Sequence, residues 1–207
     1  MIIAVDGPTA SGKGTIARAI ARHYGLPHLD TGLLYRAAGY QVRLNDGDPD
    51  SEADALAACD FPMELLEEPD LRSELTGGLA SRISVHPAVR KALFERQRTF
   101  ALQEGGAVLD GRDIGTVIVP EADVKLFITA RPDVRVKRRF TEMEEGEYPV
   151  ELKEVEADIA ARDERDRNRT EAPLKAADDA VTLDTSELGR DEAIAAAVAL
   201  VDERLGS

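Results

Sequence analysis

Short apolar runs alternate with longer amphipathic segments along almost the whole chain. The apolar runs predict five β-strands, at residues 2–5, 26–29, 107–109, 124–128 and 181–183. Such runs, with little polar alternation, are typical of strands that are buried on both faces. The amphipathic segments predict helices at residues 13–24, 33–42, 51–56, 87–103, 133–145, 150–165 and 190–205. Strands that alternate with helices favour an α/β fold, in which a parallel sheet carries helices on both faces.

Turn-forming residues mark the ends of several of these elements. Gly25 directly follows the first helix, and the segment 45–50 combines Asn, Asp, Gly and Pro in a break typical of a turn. The segment 61–84 has no clear period, because Pro62 and Pro69 interrupt it, and we predict only a loop and a short helix there. In parallel sheets, ligands bind at the carboxyl ends of the strands, so residues that directly follow strands form the candidate site.

Composition limits the partners that this chain can have. Its 207 residues suit one domain, and 43% hydrophobic residues are enough for a sizeable core. The net charge of -14 repels nucleic-acid phosphates, so we expect no nucleic-acid partner. Cys59 is the single cysteine and lies in an apolar run, which predicts a core residue and excludes an intrachain disulfide. Because neither a signal peptide nor a membrane-spanning stretch is recognisable, we expect a soluble cytoplasmic protein without a membrane partner.

A glycine-rich motif follows the first predicted strand and precedes the first predicted helix. It consists of Gly7, Pro8, Thr9, Ala10, Ser11, Gly12, Lys13, Gly14 and Thr15, and it matches the P-loop pattern G-x4-G-K. The glycines let backbone N–H groups turn toward one anion, and the helix N-terminus adds partial positive charge. Lys13 can reach the β- and γ-phosphates of a nucleotide. The flanking strand and helix favour a phosphate site, here for ATP, over a glycine-rich turn with an incidental lysine.

The residue after Lys13 departs from the commoner P-loop. Many P-loop proteins have there the hydroxyl that binds Mg²⁺, whereas this chain has Gly14 and then Thr15. Gly12-Lys13-Gly14-Thr15 resembles the P-loop of adenylate kinase and of the related nucleoside monophosphate kinases. The resemblance implies ATP as a co-substrate and a Mg²⁺ ion held mainly by nucleotide phosphates and water, with no metal ligand from the protein.

Segments with one arginine each follow the second and third strands, and an arginine-rich segment lies near the end of a helix. They are Asp30–Arg36, Asp110–Thr116 and Arg162–Arg169. A kinase whose acceptor is already phosphorylated must neutralise two facing anions, and the arginine fork suits that task. The third segment alternates in sign, and a solvated helix with surface salt bridges is an alternative interpretation of it. We interpret His23, His28 and His86 as ordinary residues, because they have no ligand spacing.

Together these segments resemble the bacterial-type cytidylate kinases over nearly the whole chain. The matching segments are Asp6-Gly7-Pro8, Gly12-Lys13-Gly14-Thr15, Asp30-Thr31-Gly32, Tyr35-Arg36, Arg90, Arg96-Gln97-Arg98, Asp110-Gly111-Arg112-Asp113-Ile114-Gly115-Thr116, Arg165-Asp166-Arg167-Asn168-Arg169 and Ala172-Pro173-Leu174. The segments 110–116 and 165–169 are far more specific to that family than the P-loop alone.

The resemblance implies a P-loop NTPase-type fold with a parallel five-stranded sheet. The core would comprise residues 1–44, 85–145 and 170–207 of a single kinase domain. Two additions are implied, a monophosphate-side insert over residues 45–84 and a small lid over residues 146–169. Family members commonly have a longer insert with an extra β-hairpin, so we expect the segment 61–79 to be shortened, which changes the wall on the acceptor side.

The resemblance also implies a role for each candidate site residue. Arg36, Arg112 and Arg169 would clamp the acceptor phosphate, Ser81, Arg90 and Asp113 would read the cytosine ring, and Arg162 and Asp166 would contact the sugar. Thr31 would complete the CMP site, and Tyr35 would pack beneath the nucleotide, with an ordinary core tyrosine as the alternative. The catalytic residues would be Lys13, Arg112, Arg162 and Arg169. In an open lid, Asp163 and Asp166 would pair with the lid arginines.

The implied reaction is reversible, in-line transfer of the γ-phosphoryl group of ATP to CMP or dCMP by a monomeric enzyme. No general base is needed, because a monophosphate oxygen is already ionised near neutral pH. Two alternatives stay open. A P-loop kinase for a neutral hydroxyl metabolite would need a base and fewer arginines. A nucleotide-binding switch would have no use for the arginine-rich lid, and no guanine-reading Asn/Thr-Lys-x-Asp motif is recognisable.

Overall fold

A five-stranded parallel sheet forms the centre of the protein in a computed structural model that describes residues 1–145 and 151–206. The strands are β1 (Ile2–Asp6), β2 (His28–Asp30), β3 (Ala107–Gly111), β4 (Val124–Thr129) and β5 (Val181–Asp184). Their order in the sheet is β2-β3-β1-β4-β5, and each neighbouring pair runs parallel. The predicted α/β fold with a parallel five-stranded sheet is therefore confirmed.

Eight α-helices connect and cover the strands within the described residues. They are α1 (Lys13–Tyr24), α2 (Thr31–Leu44), α3 (Glu52–Ala57), α4 (Glu74–Ile83), α5 (Pro87–Ala101), α6 (Pro132–Glu145), α7 (Leu152–Asn168) and α8 (Arg190–Leu205). Two short 3₁₀ helices, Met63–Glu67 and Pro69–Arg72, precede α4, and a π-helical turn, Ile114–Ile118, follows β3. No helix of the described ranges is both long and apolar enough to cross a membrane.

Apolar side chains cover both faces of the sheet. Ile3 and Val5 of β1 pack on one face with α1 and α8, and Ala4 packs on the other face with α5 and the π-helical turn. This alternation follows from the pleat of a strand, in which successive side chains point to opposite faces. A separate apolar cluster joins α2, α3 and α5 beside the sheet and includes Cys59, which is buried as predicted.

Local hydrogen bonds explain where some elements differ from the predicted bounds. Gly25 ends α1 in the left-handed conformation, at a φ of 66°. The N–H of Leu26 then donates to Ala21 O at 2.8 Å, so that β2 starts only at His28 and not at residue 26 as predicted. The predicted start of α7 at residue 150 lies outside the described residues.

The segment 61–84 contains the short helix that was predicted there without bounds, and the structure places it at Glu74–Ile83 as α4. Ser73 caps α4, since its hydroxyl accepts the N–H of Thr76 at 3.2 Å. Gly39 of α2 lets the two helices approach closely, because a Cβ on Gly39 would lie 2.9 Å from the backbone N of Ala80. Packing against α2 therefore stabilises α4, in spite of two glycines with low helix propensity in its interior.

Candidate functional site

A cleft of about 300 Å³ opens at the carboxyl ends of β1, β2 and β3, between the P-loop and helices α4 and α7. The predicted site residues that line it are Thr9, Ala10, Gly12, Lys13, Gly14, Thr15, Thr31, Tyr35, Arg36, Ser81, Arg90, Arg112, Asp113, Arg162, Asp166 and Arg169. Residues without a predicted role also line it, among them Arg18, Asp30, Arg72, Asp110, Arg139 and Glu142. The fold thus brings together side chains from segments that are far apart in sequence.

Three predicted ATP-binding residues do not line the cleft. Gly7, Pro8 and Ser11 are the buried residues of the P-loop. A Cβ on Gly7 would lie 2.0 Å from the carbonyl oxygen of Ile128, so only glycine allows the P-loop to pass this close to β4. These residues shape the loop, and their part in ATP binding stays a prediction.

The P-loop leads into the N-terminus of α1, which is open toward the cleft. Gly12 occupies the N-cap position in the left-handed conformation, at a φ of 92°, and no described side chain caps the helix. Backbone N–H groups of the first turn are therefore available to an anion, beside the partial positive charge of the helix. Lys13 points into the same space. Burial, and then the neighbouring Arg112, lower the pKa of Lys13 to about 8.

Arg112 connects the P-loop to helix α7. Its Nε donates to Asp166 Oδ2 at 2.6 Å, and its Nη2 donates to Thr9 Oγ1 at 2.6 Å. Burial raises the pKa of Asp166, but Arg112 outweighs that effect and keeps the pKa below its ordinary value. Asp166 is therefore a charged carboxylate, and its contact with Nε helps to orient the Arg112 guanidinium in the cleft.

Arg169 directly follows α7, and its buried guanidinium has an N–H group that is not used in a hydrogen bond with the described residues. Its Nη2 lies 3.8 Å from Asp113 Oδ1 and has no hydrogen-bond partner among the described residues. Burial, and then the nearby Arg90, lower the pKa of Arg169. A buried guanidinium with an unused N–H is costly unless an acceptor is supplied, and an anion in the cleft would supply one.

The three predicted base-reading residues, Ser81, Arg90 and Asp113, all line the cleft. Arg90 of α5 forms a buried ion pair with Asp113 and lies over the ring of Tyr35, with its Cζ 5.8 Å from the centroid. The Ser81 hydroxyl of α4 accepts a hydrogen bond from Arg165 Nε at 2.9 Å. Arg165 is thus a further partner of this group that sequence reasoning gave no role.

Asp6 anchors the loop that bears Arg112 and Asp113. Its two carboxylate oxygens accept the N–H groups of Ile114 and Gly115, each at 2.8 Å. Burial raises the pKa of Asp6 to about 7, against the effect of these two donors. An acidic residue at the end of a buried strand was the available signal for this role, and the sequence pattern alone did not reveal its partners.

Asp163 has a closer partner than the predicted ones. It was expected to partner the arginines of the segment 146–169, and one of them, Arg167, forms an ion pair with it at 3.8 Å. Its closer partner is Arg135 of α6, with which it forms a two-point ion pair. Asp163 therefore joins α7 to α6 and does not line the cleft, whereas Asp166 faces the cleft as expected.

Asp30 and Asp110 make the cleft suitable for a magnesium ion. They are register partners at the carboxyl ends of β2 and β3, and both line the cleft with Lys13. Carboxylate, phosphate and water oxygens are the ligands that Mg²⁺ prefers, so this donor set fits a metal shared with nucleotide phosphates. His28 Nε2 lies 2.7 Å from Asp110 Oδ2, so this histidine holds a cleft carboxylate, which its place in the sequence did not indicate.

Comparison with known proteins shows the family of this chain. The family model described as Cytidylate kinase matches residues 3–203 of the chain. The chain belongs to the cytidylate kinase family. It is 52% identical to a cytidylate kinase from a Caulobacter species over 202 residues, which cover 97% of this chain and 94% of that protein. It is 53% identical to a cytidylate kinase from Azorhizobium caulinodans over 207 residues, which cover 100% of both.

The predicted membership of the cytidylate kinase family, and with it the prediction of a kinase, is confirmed. A solved structure of shikimate kinase from Bacteroides thetaiotaomicron has a similar fold, with a TM-score of 0.51 and 17% sequence identity. The match covers 100% of this chain and 99% of that chain, and at this identity it shows the fold alone. The expected shortening of the segment 61–79 relative to other members of the cytidylate kinase family stays a prediction.

Proposed function

We propose that this member of the cytidylate kinase family transfers the γ-phosphoryl group of ATP to CMP or dCMP, which yields ADP and CDP or dCDP. The observation that carries the proposal is a single cleft in which a P-loop faces a second set of arginines. Arg112 lies between the two, since it donates to Thr9 of the P-loop and pairs with Asp166 of the lid helix. A donor phosphate and an acceptor phosphate would meet in the space between them.

On the donor side, the triphosphate would bind across the P-loop and the N-terminus of α1. Backbone N–H groups of the first turn would donate to its oxygens, and Lys13 would contact the β- and γ-phosphates. Mg²⁺, held by the phosphates and by water beside Asp30 and Asp110, would neutralise part of their charge. The arginines that line the cleft would neutralise the remaining negative charge of the phosphates.

On the acceptor side, Arg36, Arg112 and Arg169 would bind the monophosphate. Asp113 and Arg90, which form an ion pair, present an acceptor and donors of the kind that cytosine requires. Ser81 adds a hydroxyl to this group, and Arg162 and Asp166 would contact the sugar. Buried polar groups that pair with the correct base and stay unpaired with others are an effective basis for selection.

Phosphoryl transfer in this cleft needs alignment and charge neutralisation, and no base. The acceptor oxygen is already ionised, so in-line attack on the γ-phosphorus requires only that the two phosphates be held close. Lys13, Arg112, Arg162 and Arg169 would stabilise the charge on the transferring group. The same arrangement of side chains would catalyse the reverse reaction, because in both directions a phosphoryl group passes from one nucleotide phosphate to another.

The division into core, monophosphate-side insert and lid is part of the proposal. The segment 151–169 contains α7, which contributes Arg162 and Asp166 to the cleft, and Arg169, which directly follows α7 and also lines the cleft. The rest of the predicted lid, residues 146–150, lies outside the described residues. We propose further that the protein acts as a monomer in the cytoplasm.

An ADP-release assay with MgATP and a panel of monophosphates tests the proposal. CMP and dCMP are expected to stimulate ADP release far more than AMP or GMP. Lys13→Ala is expected to melt at the wild-type temperature and to lose most activity through kcat, because Lys13 projects into the cleft and not into the core. Stimulation by a neutral hydroxyl metabolite and not by any monophosphate would support the rival kinase class, and absence of any stimulation would support the switch.

A further inference from the structure

Three guanidinium groups and several carboxylates meet where α4 contacts α6 and α7. Besides Glu74, Asp158 pairs with Arg162, with its Oδ2 2.7 Å from Nε, and Glu142 pairs with Arg139 at 2.9 Å. Glu74, the first residue of α4, accepts hydrogen bonds at Oε2 from Arg139 Nε at 2.9 Å and from Arg139 Nη2 at 2.5 Å. Its Oε1 accepts a hydrogen bond from Arg162 Nη2. Each oxygen of one carboxylate therefore holds an arginine from a different helix, α6 or α7.

Arg36 of α2 completes the cluster without contacting the carboxylate. Its Nη1 donates to the carbonyl oxygens of Leu71 at 2.7 Å and Ser73 at 2.9 Å, just before α4. Burial, and then the nearby Arg162 and Arg139, lower the pKa of Arg36 to about 10. The three cations thus repel one another, and a negative charge is required to keep them together.

Glu74 supplies negative charge to two of these cations at neutral pH. Burial raises the pKa of Glu74, but the neighbouring Asp158 and the charges of Arg162 and Arg139 outweigh that effect and lower the pKa below its ordinary value. Arg139 and Arg162 are mostly buried, with side-chain exposures of 11% and 5%. Because both line the cleft, their orientation determines which N–H groups face a bound phosphate.

We infer that Glu74 is a positioning residue, which holds Arg139 and Arg162 over the cleft so that they can act on the phosphates of the bound nucleotides. The inference rests on the proposed function and extends it to two residues, Glu74 and Arg139, to which the sequence pattern gave no role. The rigid ion pairs fix the planes of both guanidinium groups before substrate binds. Helices α6 and α7 are thereby coupled to the helix α4 on the acceptor side.

The alternative is that the same contacts weaken acceptor binding, so the direction in which the acceptor KM changes distinguishes the two roles. The Glu74 carboxylate resembles a phosphate in charge and in its use of arginine forks, so it would compete with the acceptor if it occupied the position of the acceptor phosphate. A positioning carboxylate raises acceptor affinity, whereas a competing one lowers it. The two roles predict opposite changes in the acceptor KM.

Steady-state kinetics of Glu74→Gln with CMP and MgATP distinguish the two roles. We expect the acceptor KM to rise and kcat to fall, with kcat/KM lower by about ten-fold or more, because the arginines lose their fixed orientation. Glu64→Gln, an exposed acid in the same insert, is the matched control and is expected to behave as wild type. A lower acceptor KM for Glu74→Gln, or constants within about two-fold of wild type, overturns the inference.

A double-mutant cycle separates positioning from a merely structural role. In an Arg139→Ala background, Glu74→Gln is expected to have a much smaller effect on kcat/KM than in the wild type, since one of its two partners is already gone. Equal effects in both backgrounds overturn the inference. Glu74→Asp, which keeps the charge, is expected to restore part of the lost activity, and melting temperatures of all variants show that they are folded.

The failure of this inference is distinguishable from the failure of the proposed function. If the wild-type protein releases no ADP with any monophosphate, then the proposed function fails, whatever the Glu74 variants do. If the wild type phosphorylates CMP and Glu74→Gln does so equally well, then only the positioning role fails. If the wild type is active and the variant is impaired in the predicted direction, then both stand.

Discussion

Arg135 and Asp163 form a buried two-point ion pair that joins helices α6 and α7. Arg135 Nη1 donates to Asp163 Oδ1 at 2.9 Å, and Arg135 Nη2 donates to Asp163 Oδ2 at 2.5 Å. The same guanidinium donates to the carbonyl oxygen of Thr9 in the P-loop at 3.2 Å. One fully buried arginine therefore connects the P-loop, α6 and the lid helix.

Asp163→Asn is expected to destabilise the protein. Breaking a buried pair leaves the Arg135 charge uncompensated, which costs about 3 kcal/mol or more of unfolding free energy. For a chain of this size that corresponds to a melting temperature lower by roughly 6–12 °C, measured by thermal denaturation. The matched control is Asp133→Asn at the start of α6, which removes an exposed partner of Arg131 and is expected to change little. Equal melting temperatures of both variants would contradict this account.

The affinity for ATP is expected to fall above pH 8. Burial, and then Arg112, lower the pKa of Lys13 to about 8, so that at higher pH the free enzyme has a neutral amine where a phosphate must bind. The pH profile of kcat/KM for ATP reports the free enzyme and is expected to decline over this range. The profile of kcat at saturating ATP is expected to stay flat, because bound phosphates keep the amine protonated. A flat kcat/KM profile would contradict the prediction.

Asp113→Asn is expected to weaken the use of CMP more than that of UMP. Asp113 is buried and paired with Arg90, and an unpaired buried polar partner costs roughly 1–3 kcal/mol, or about ten-fold or more in discrimination. The measurement is the ratio of kcat/KM for the two acceptors, so UMP is the internal control. Equal losses for both would mean that Asp113 only positions the loop that bears Arg112.

Gly77→Ala is expected to raise the acceptor KM with little effect on stability. A Cβ at Gly77 would lie 2.7 Å from Arg162 Nη2 and 2.9 Å from Arg36 Nη2, so both guanidinium groups must move. The ends of flexible side chains move at small cost, and the expected loss is therefore one of function. Gly78→Ala is the matched control, because no described atom lies within 4 Å of its Cβ position. Kinetics of the two variants with CMP provide the test, and equal acceptor KM values would contradict the prediction.

The amino-acid sequence by itself determined the features that depend on neighbouring residues. The P-loop is a contiguous motif, and its glycines, its lysine and the flanking strand and helix are all readable along the chain. The strands and most helices were predicted from apolar spacing, since burial imposes that spacing locally. For α4 the sequence predicted only a short helix without bounds, because its apolar spacing is unclear and it contains Gly77 and Gly78, and its packing on α2 stabilises it.

The family, and with it the candidate residues of the acceptor site, was also recognisable from the sequence, because the segments 110–116 and 165–169 are long and specific. The structure then showed that all ten of these acceptor-site candidates line one cleft, together with six residues of the P-loop. It also showed that the closer partner of Asp163 is Arg135 and not an arginine of the segment 146–169, because alternating charges on a helix are compatible with many partners.

Only the tertiary structure decided which charged groups pair with one another. Arg135 and Asp163 are 28 residues apart, Glu74 and Arg139 are 65 apart, and Ser81 and Arg165 are 84 apart. Such pairs depend on how the helices are rotated and how closely they approach. Neither quantity can be predicted from the residues that are neighbours in the sequence. The positions of Glu74 and Arg139 in the site follow from that packing, since a charged side chain takes its role from the groups that surround it.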